Sequence, residues 1–248
     1  MTRAPRVLLL APVVVLAFAG CESSQTKSAR LATDGAGKAA LSKVSAGAAN
    51  PDVRVGETKV LATDAGTAAV VELRNTGAKA QAAIPVQIDV QDAKGASLFK
   101  NDVAGLQPAL QQMAYLAAGQ DVYWVNDQIV AAQRPKKVVV AVGKPKSPAA
   151  TAAPRIALEG VKLDHDSTGV YASGIVRNTS KLTQINLPIF GVALKGGKVV
   201  AAGRSLIEKL APEPQKKPTR FRMFFIGDPR GADLRLTVAP TVLQEGSS

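Results

Sequence analysis

The chain has 248 residues, a length that fits one or two domains of ordinary size. Hydrophobic residues make up 46%, which is enough for real cores, but aromatic residues make up only 4%. A core built largely of alanine and valine is therefore expected, which favours strands over helices.

The formal net charge of +12 is concentrated in the C-terminal part of the chain. Residues 155–245 carry fourteen basic and eight acidic side chains, a net charge of +6. A surface of this sign attracts anions at long range, such as acidic polymers or lipid head groups. The alternative is a soluble basic protein with no specific anionic partner.

The N-terminus has the layout of a secretory signal peptide. Arg3 and Arg6 precede an apolar run over residues 7–20, which ends in small residues. This run is shorter than the roughly 20 residues that a membrane-spanning helix needs, and Pro12 interrupts it. We therefore predict that residues 1–20 are a cleaved signal peptide.

Cys21 follows this run directly and is the only cysteine of the chain. Phe-Ala-Gly-Cys at residues 18–21 resembles the lipobox of bacterial lipoprotein signals, with Phe18 where leucine is usual. The resemblance implies cleavage before Cys21, a diacylglycerol on its thiol, and an anchor in the lipid bilayer. A lone cysteine in an exported chain has no internal disulfide partner, and several acyl chains anchor stably where one is marginal. The alternative is an ordinary cleaved signal followed by an unrelated cysteine.

Residues 21–51 are rich in alanine, serine, glycine and lysine and contain no aromatic residue. The segment lacks the apolar content for a core, so we predict a lipidated, flexible tether. A chain of ~30 residues of this kind has a root-mean-square reach of roughly 30 Å.

The mature chain contains an internal repeat of domain length. The sequence RNTGAKAQAAIP at residues 74–85 matches RNTSKLTQINLP at residues 177–188, at an offset of 103 residues. Beyond the final prolines the letters match at an offset of 102, which aligns Ile88 with Phe190. This change of one residue predicts a bulge or an altered strand entry beside the prolines.

The repeat predicts two tandem domains, residues 52–146 and residues 155–245, joined by a proline-containing linker at residues 147–154. Short runs with period-two alternation, broken by glycine, asparagine, aspartate and proline, indicate strands in both. Residues 106–116 have some helical character, and we interpret them, together with residues 205–210, as connections. The fold class expected is all-β, with two tandem β-sandwiches.

A first strand that ends in Arg-Asn-Thr and a later strand of the form apolar-x-apolar are present in both domains. The later strand reads IDVQD at residues 88–92 and FGVAL at residues 190–194. This pattern resembles the FxLYD-type domains and their immunoglobulin-like relatives in bacterial envelope proteins, although the tyrosine of that motif is absent from both copies. The resemblance implies immunoglobulin-like β-sandwiches and no particular activity, because such folds host many functions.

The sequence offers little for catalysis or metal binding. Asp164, His165 and Asp166 are adjacent, but neighbours in a strand point to opposite faces, and the chain has no second histidine. We interpret them as a polar turn, and we expect no catalytic residue, no metal and no cofactor. Trp124, the only tryptophan, aligns with Phe225 at an offset of 101, which indicates a core residue.

The basic segment KKPTRFR, residues 216–222, is the best surface candidate. If it continues as a strand, Arg220 and Arg222 share one face, next to Lys216 and Lys217. We predict an anion-binding surface there, because arginine forks match phosphates and carboxylates. Since an exported protein rarely meets nucleic acid, the expected anions are lipid head groups or acidic envelope polymers. The alternative is a solvated edge strand whose charges resist edge-to-edge pairing.

Together these features predict an extracytoplasmic lipoprotein of the bacterial cell envelope, held in the membrane through Cys21. We expect it to act as a non-catalytic binding, scaffolding or assembly module, with other envelope proteins or anionic polymers as partners. The alternative is an envelope carrier that holds a lipid or small ligand in or between the sandwiches. A carrier predicts an enclosed apolar cavity of several hundred Å³.

Overall fold

The structure is a computed structural model that describes residues 45–131, 133–145 and 153–243. The predicted signal peptide, Cys21, most of the tether and most of the linker lie outside these ranges. Nowhere in these ranges does an apolar helix reach the length required to cross a membrane.

The regular secondary structure of the described residues is almost all β-strand. The strands of its first half are β1 (Val53–Thr63), β2 (Gly66–Asn75), β3 (Gln81–Gln91), β4 (Ser97–Lys100), β5 (Gln112–Leu116), β6 (Asp121–Asn126) and β7 (Lys137–Val142). The strands of its second half are β8 (Ile156–Asp166), β9 (Gly169–Asn178), β10 (Gln184–Lys195), β11 (Lys198–Leu210), β12 (Thr219–Phe224), β13 (Ile226–Gly227) and β14 (Asp233–Val238). A short 3-10 turn, Pro108–Leu110, precedes β5.

Among these strands, hydrogen-bonded pairing stays within each half and is antiparallel. The first half forms the sheets β1-β2-β6 and β4-β3-β5, and β7 also pairs with β3. The second half forms the sheets β12-β9-β8 and β13-β11-β10-β14. The predicted all-β, sandwich-like fold is confirmed.

The repeated Asn-Thr pair makes the same hydrogen bonds in both halves. Asn75 and Asn178 are both 0% exposed. The side-chain Nδ2 of each donates to the backbone carbonyl oxygen four residues later and to that of the last residue of a strand in the other sheet. For Asn75 these acceptors are Lys79 (2.9 Å) and Leu116 (3.1 Å). For Asn178 they are Leu182 (2.8 Å) and Leu210 (3.3 Å). The repeat therefore encodes a buried asparagine that ties a turn to the facing sheet, since a buried polar group must be hydrogen-bonded.

The predicted change of offset beside the prolines is wrong. Pro85 and Pro188 accept equivalent hydrogen bonds from Gly143 and Ala239, and the next residues, Val86 and Ile189, begin equivalent pairings with β7 and β14. The offset of 103 therefore continues past the prolines, and Ile88 corresponds to Gly191 instead of Phe190. Gly191 faces the inner core, because a Cβ there would lie 2.5 Å from Sδ of Met223. A shift of one residue exchanges the two faces of a strand, so Phe190 lies on the outer face.

The aromatic strand also aligns differently from the prediction. Trp124 lies opposite Val71 in β2, and Phe221 lies opposite Gly174 in β9, 103 residues after Val71. Trp124 therefore corresponds to Phe221 and not to Phe225. The prediction that Trp124 is a core residue is confirmed, because its side chain is 0% exposed and its Nε1 donates to the carbonyl oxygen of Ala109 (3.0 Å).

Two stretches that we interpreted as connections contribute strands. Residues 112–116 form β5, which pairs with β3, and residues 205–210 continue β11, which pairs with β10 along most of its length. Pairing with a long central strand provides hydrogen-bond partners that a local pattern does not reveal.

The end of the predicted tether packs against the first half. The backbone N–H of Ala46 donates to Oε1 of Gln87 (3.2 Å), and that of Asn50 donates to the carbonyl oxygen of Val142 (3.0 Å). Nδ2 of Asn50 donates to Oε1 of Gln81 (2.7 Å). The boundary that we predicted at residue 51 therefore falls inside the folded part of the chain.

The outer face of β10 packs on the first half of the chain. Phe190, Val192 and Leu194 are buried in one continuous hydrophobic cluster with Val70 of β2 and Val125 of β6. The inner face of β10 belongs to a separate cluster with β9 and β12. The cores of the two halves are thus in contact, while the division into two domains stays a prediction based on the repeat.

This contact predicts different effects for substitutions on the two faces of β10. Both Phe190→Ala and Leu187→Ala remove a buried large side chain, at a cost of about 2–5 kcal/mol each. Phe190→Ala should split calorimetric unfolding into two transitions, because it weakens the contact between halves. Leu187→Ala, the matched control on the inner face, should lower the midpoint of a single transition. Identical unfolding profiles for the two variants would contradict the interface.

Candidate functional site

The four cationic residues of the predicted anion-binding surface are exposed. Lys216 and Lys217 lie in the loop before β12, and Arg220 and Arg222 lie on the outer face of that strand. The structure thus places the four side chains at one edge of the second half, as the spacing predicted.

Arg222 is held by groups of the protein itself. Its Nη1 lies 2.9 Å from Oδ2 of Asp166, and its Nη2 donates to the hydroxyl of Tyr171 (3.3 Å). The guanidinium carbon lies 4.0 Å from the centroid of the Tyr171 ring, a cation–π contact. Hydrogen bonds from Thr168, together with the charge of Arg222, lower the pKa of Asp166. Arg222 is therefore less available to an external anion than the sequence predicted.

The same sheet face carries further ion pairs. Lys162 Nζ lies 2.8 Å from Asp164 Oδ2, and Arg177 Nε lies 3.0 Å from Glu159 Oε2. Exposed pairs of this kind contribute little to stability, but they balance the local charge. Three cations of the basic segment have no ion-pair partner within the described chain and are available to an anion: Lys216, Lys217 and Arg220.

The pairing of β12 with β9 explains why arginines lie on the outer face of β12. Arg222 lies opposite Ser173, the position that corresponds to Val70, and Val70 lies opposite Val125 in the first half. Arg222 therefore occupies the place of Val125, which the second half covers. Because no equivalent layer covers β12 within the described chain, charged side chains there keep the sheet face soluble.

His165 is exposed near the end of β8, where it lies opposite Val170. Asp164, His165 and Asp166 belong to the strand, so our interpretation of them as a turn is wrong, because the turn begins after Asp166. The described ranges contain no group of three or more histidine, cysteine or carboxylate side chains placed to hold a metal ion.

The structure shows a cleft between the two halves that the sequence did not predict. Its volume is about 490 Å³. It is lined by both halves, including Ala65 and Asp127 from the first and Arg204, Phe224, Gly227 and Arg230 from the second.

A charged pair connects the halves at this cleft. Arg204 Nε lies 3.3 Å from Oδ1 of Asp127, and Arg204 Nη1 donates to Oε1 of Gln107 (3.1 Å). The side chains of Arg204 and Asp127 are only 4% and 9% exposed. Arg204 takes this position because it lies opposite Phe190 in the pairing of β10 with β11.

Hydrogen-bonding capacity remains on both members of the pair. Neither Nη2 of Arg204 nor Oδ2 of Asp127 has a hydrogen-bond partner among the described residues. Among the described residues, the one fully buried side-chain polar atom without a hydrogen-bond partner is Nδ2 of Asn126. The two free atoms of the pair therefore keep contact with solvent, and both residues line the cleft.

A second pair lies at the rim. Arg230 Nε and Nη2 donate to the two carboxylate oxygens of Asp228 at 2.8 Å and 2.7 Å. These hydrogen bonds lower the pKa of Asp228 to about 2 and raise the pKa of Arg230. The residues that line the cleft thus carry two cations and two carboxylates, and their charges balance.

A signal for this site exists in the sequence, although it is weak. Arg204 is the single charged residue in the otherwise apolar or small stretch at residues 199–207. A charge inside a buried strand demands a partner. Its partner Asp127 lies 77 residues away in the chain, so no spacing pattern connects the two.

We predict that removing one member of the Arg204–Asp127 pair lowers the stability of the protein, whereas removing both does not. Arg204→Met or Asp127→Leu alone should reduce the free energy of unfolding by about 3–5 kcal/mol, because each leaves an uncompensated buried charge. The double variant should lie within about 1 kcal/mol of wild type, since an apolar pair of similar size avoids the desolvation cost. Urea denaturation of the four chains measures this cycle. Additive losses would show that the two side chains are not coupled.

A scan against protein-family models finds no match for this chain, and a search of curated proteins also finds none.

Proposed function

We propose that this protein is a lipoprotein of the bacterial cell envelope, anchored through Cys21, that acts as a non-catalytic binding module. The observation that carries the proposal is the lone cysteine that follows residues 18–20 at the end of a signal-like apolar run. Acyl chains on Cys21 would hold the β-sandwich-like part at the membrane surface. Tethering of this kind raises the effective concentration of the module near envelope partners.

The surface we assign to an anionic partner is the basic segment before and within β12. Lys216, Lys217 and Arg220 support this assignment, since all three are exposed and have no ion-pair partner in the described chain. Acidic envelope polymers and anionic lipid head groups share the charge that this surface would recognise.

Processing at Cys21 is directly measurable. The full chain expressed in a bacterium should yield a mature protein that begins at Cys21, carries the mass of acyl chains and enters the detergent phase on phase separation. Cys21→Ser should abolish the added mass and the detergent partitioning, while the neighbouring Ser23→Ala should change neither. A mature wild-type chain with a free thiol would contradict the lipoprotein proposal.

The anion-binding surface is tested by salt-dependent retention of the full chain on heparin, which serves as the polyanion probe. Arg220→Gln, which removes one positive charge, should lower the salt concentration required for elution, because fewer counterions are released on binding. Arg222→Gln, the matched control, should elute close to wild type, since Asp166 already pairs with Arg222. Equal shifts for both variants would show that the effect reflects net charge alone.

A second candidate function is that of an envelope carrier, which holds a small ligand between the two halves. The volume of the cleft, about 490 Å³, supports it, since this lies within the usual range for ligand pockets. The cleft differs from the enclosed apolar cavity that we predicted for a carrier, because it is open to solvent and four of its lining side chains are charged. The two functions are compatible, since the basic segment and the lining of the cleft share no residue.

A further inference from the structure

We propose that the cleft between the halves binds a small zwitterion of the α-amino acid class with an apolar side chain. In this proposal the ligand carboxylate lies on Arg204, its ammonium lies on Asp127, and its side chain lies against Phe224. The inference rests on the carrier function proposed above and names the chemistry of its ligand.

The guanidinium of Arg204 supplies the carboxylate site. It carries five N–H donors in a planar fork. The protein uses Nε and Nη1, whereas Nη2 has no acceptor in the described chain. A carboxylate is the natural acceptor for a free guanidinium donor, and the bond is stronger because both partners are charged.

Asp127 supplies the ammonium site. Its Oδ1 pairs with Arg204, while Oδ2 has no hydrogen-bond partner among the described residues. The charged groups of Arg204 and Asp127 lie 3.3 Å apart, so the opposite charges of a complementary ligand must also be adjacent. An α-amino acid meets this condition, because its carboxylate and ammonium are attached to one carbon.

The remaining wall favours an apolar side chain. Phe224, Phe225 and Val170 line the same cleft as the charged pair. Apolar surface buried against such walls contributes about 25 cal/mol per Å². The balanced charges of the lining match a ligand whose own net charge is zero.

Arg204 and Asp127 form an almost fully buried ion pair. An apolar pair of similar size would usually be at least as stable as a buried ion pair. This pair keeps one unused donor and one unused acceptor, and both residues line the same cleft. A purely structural pair has no need of this unused capacity, whereas a ligand site requires it.

The test is isothermal titration calorimetry of the purified full chain with L-leucine, N-acetyl-L-leucine and L-leucinamide. Leucine should bind saturably in the micromolar to millimolar range. N-acetyl-L-leucine lacks the ammonium charge and L-leucinamide lacks the carboxylate charge. Each should bind at least about tenfold more weakly than leucine, which corresponds to roughly 1.4 kcal/mol. This series uses the wild-type chain, so its outcome does not depend on whether a variant folds.

Variants then locate the site. The double variant Arg204→Met with Asp127→Leu, once thermal unfolding shows that it is folded, should lose leucine binding. Arg222→Gln is the matched control, because Arg222 also pairs with a carboxylate but lies outside the cleft, and it should bind within about twofold of wild type.

Three results would overturn the proposal: no saturable binding of leucine, equal binding of the blocked analogues, or full binding by the double variant. Binding of the apolar probe anilinonaphthalene sulfonate shows whether such a result contradicts the zwitterion alone or the carrier function as well. If this apolar probe binds wild type and is lost in Phe224→Ala while leucine does not bind, the carrier function stands and the zwitterion does not. If neither leucine nor the probe binds, both the zwitterion proposal and the carrier function are wrong.

Discussion

The packing of the outer face of β10 on β6 determines the arrangement of the rest of the molecule. Phe190, Val192 and Leu194 are buried in the core cluster of the first half, although β10 forms hydrogen bonds within the second half alone. Removing this apolar surface from water favours one relative placement of the halves. That placement brings Arg204 of β11 against Asp127, which follows β6, and it leaves a cleft beside them. The candidate ligand site is thus a consequence of the hydrophobic contact.

The charged pair at the junction differs physically from those on the surface. Arg204 and Asp127 are almost fully buried, so their attraction is weakly screened and their desolvation is costly. The pair of Arg222 with Asp166 is exposed, and its neighbours compensate its charge. A ligand that enters the cleft meets a preorganised donor and acceptor. An anion that approaches β12 meets two exposed lysines and Arg220, which have no ion-pair partner among the described residues. The two surfaces therefore suit different partners, a small molecule in one case and a polyanion in the other.

The internal repeat preserves the backbone framework and varies the faces that it exposes. Asn75 and Asn178 make equivalent buried hydrogen bonds, so the turn that each stabilises is the same in both halves. Val125 and Arg222 occupy equivalent positions but differ in chemistry, because the second half covers Val125 and no described residue covers Arg222 in the same way. The basic character of the second half follows in part from this difference, since an exposed sheet face requires polar side chains to stay soluble.

The sequence by itself determined the all-β fold, because period-two alternation and turn residues act locally. It also identified Trp124 as a core residue and the repeated Arg-Asn-Thr segment, and it carries the lipoprotein prediction for Cys21, which stays a prediction. It did not determine which face of β10 is inner, because residues 187–194 are apolar on both faces and alternation carries no information there. The partnership of Arg204 with Asp127 was equally hidden, since 77 residues separate them. Only the tertiary structure decided both, because burial against a second sheet is a property of packing and not of any local pattern.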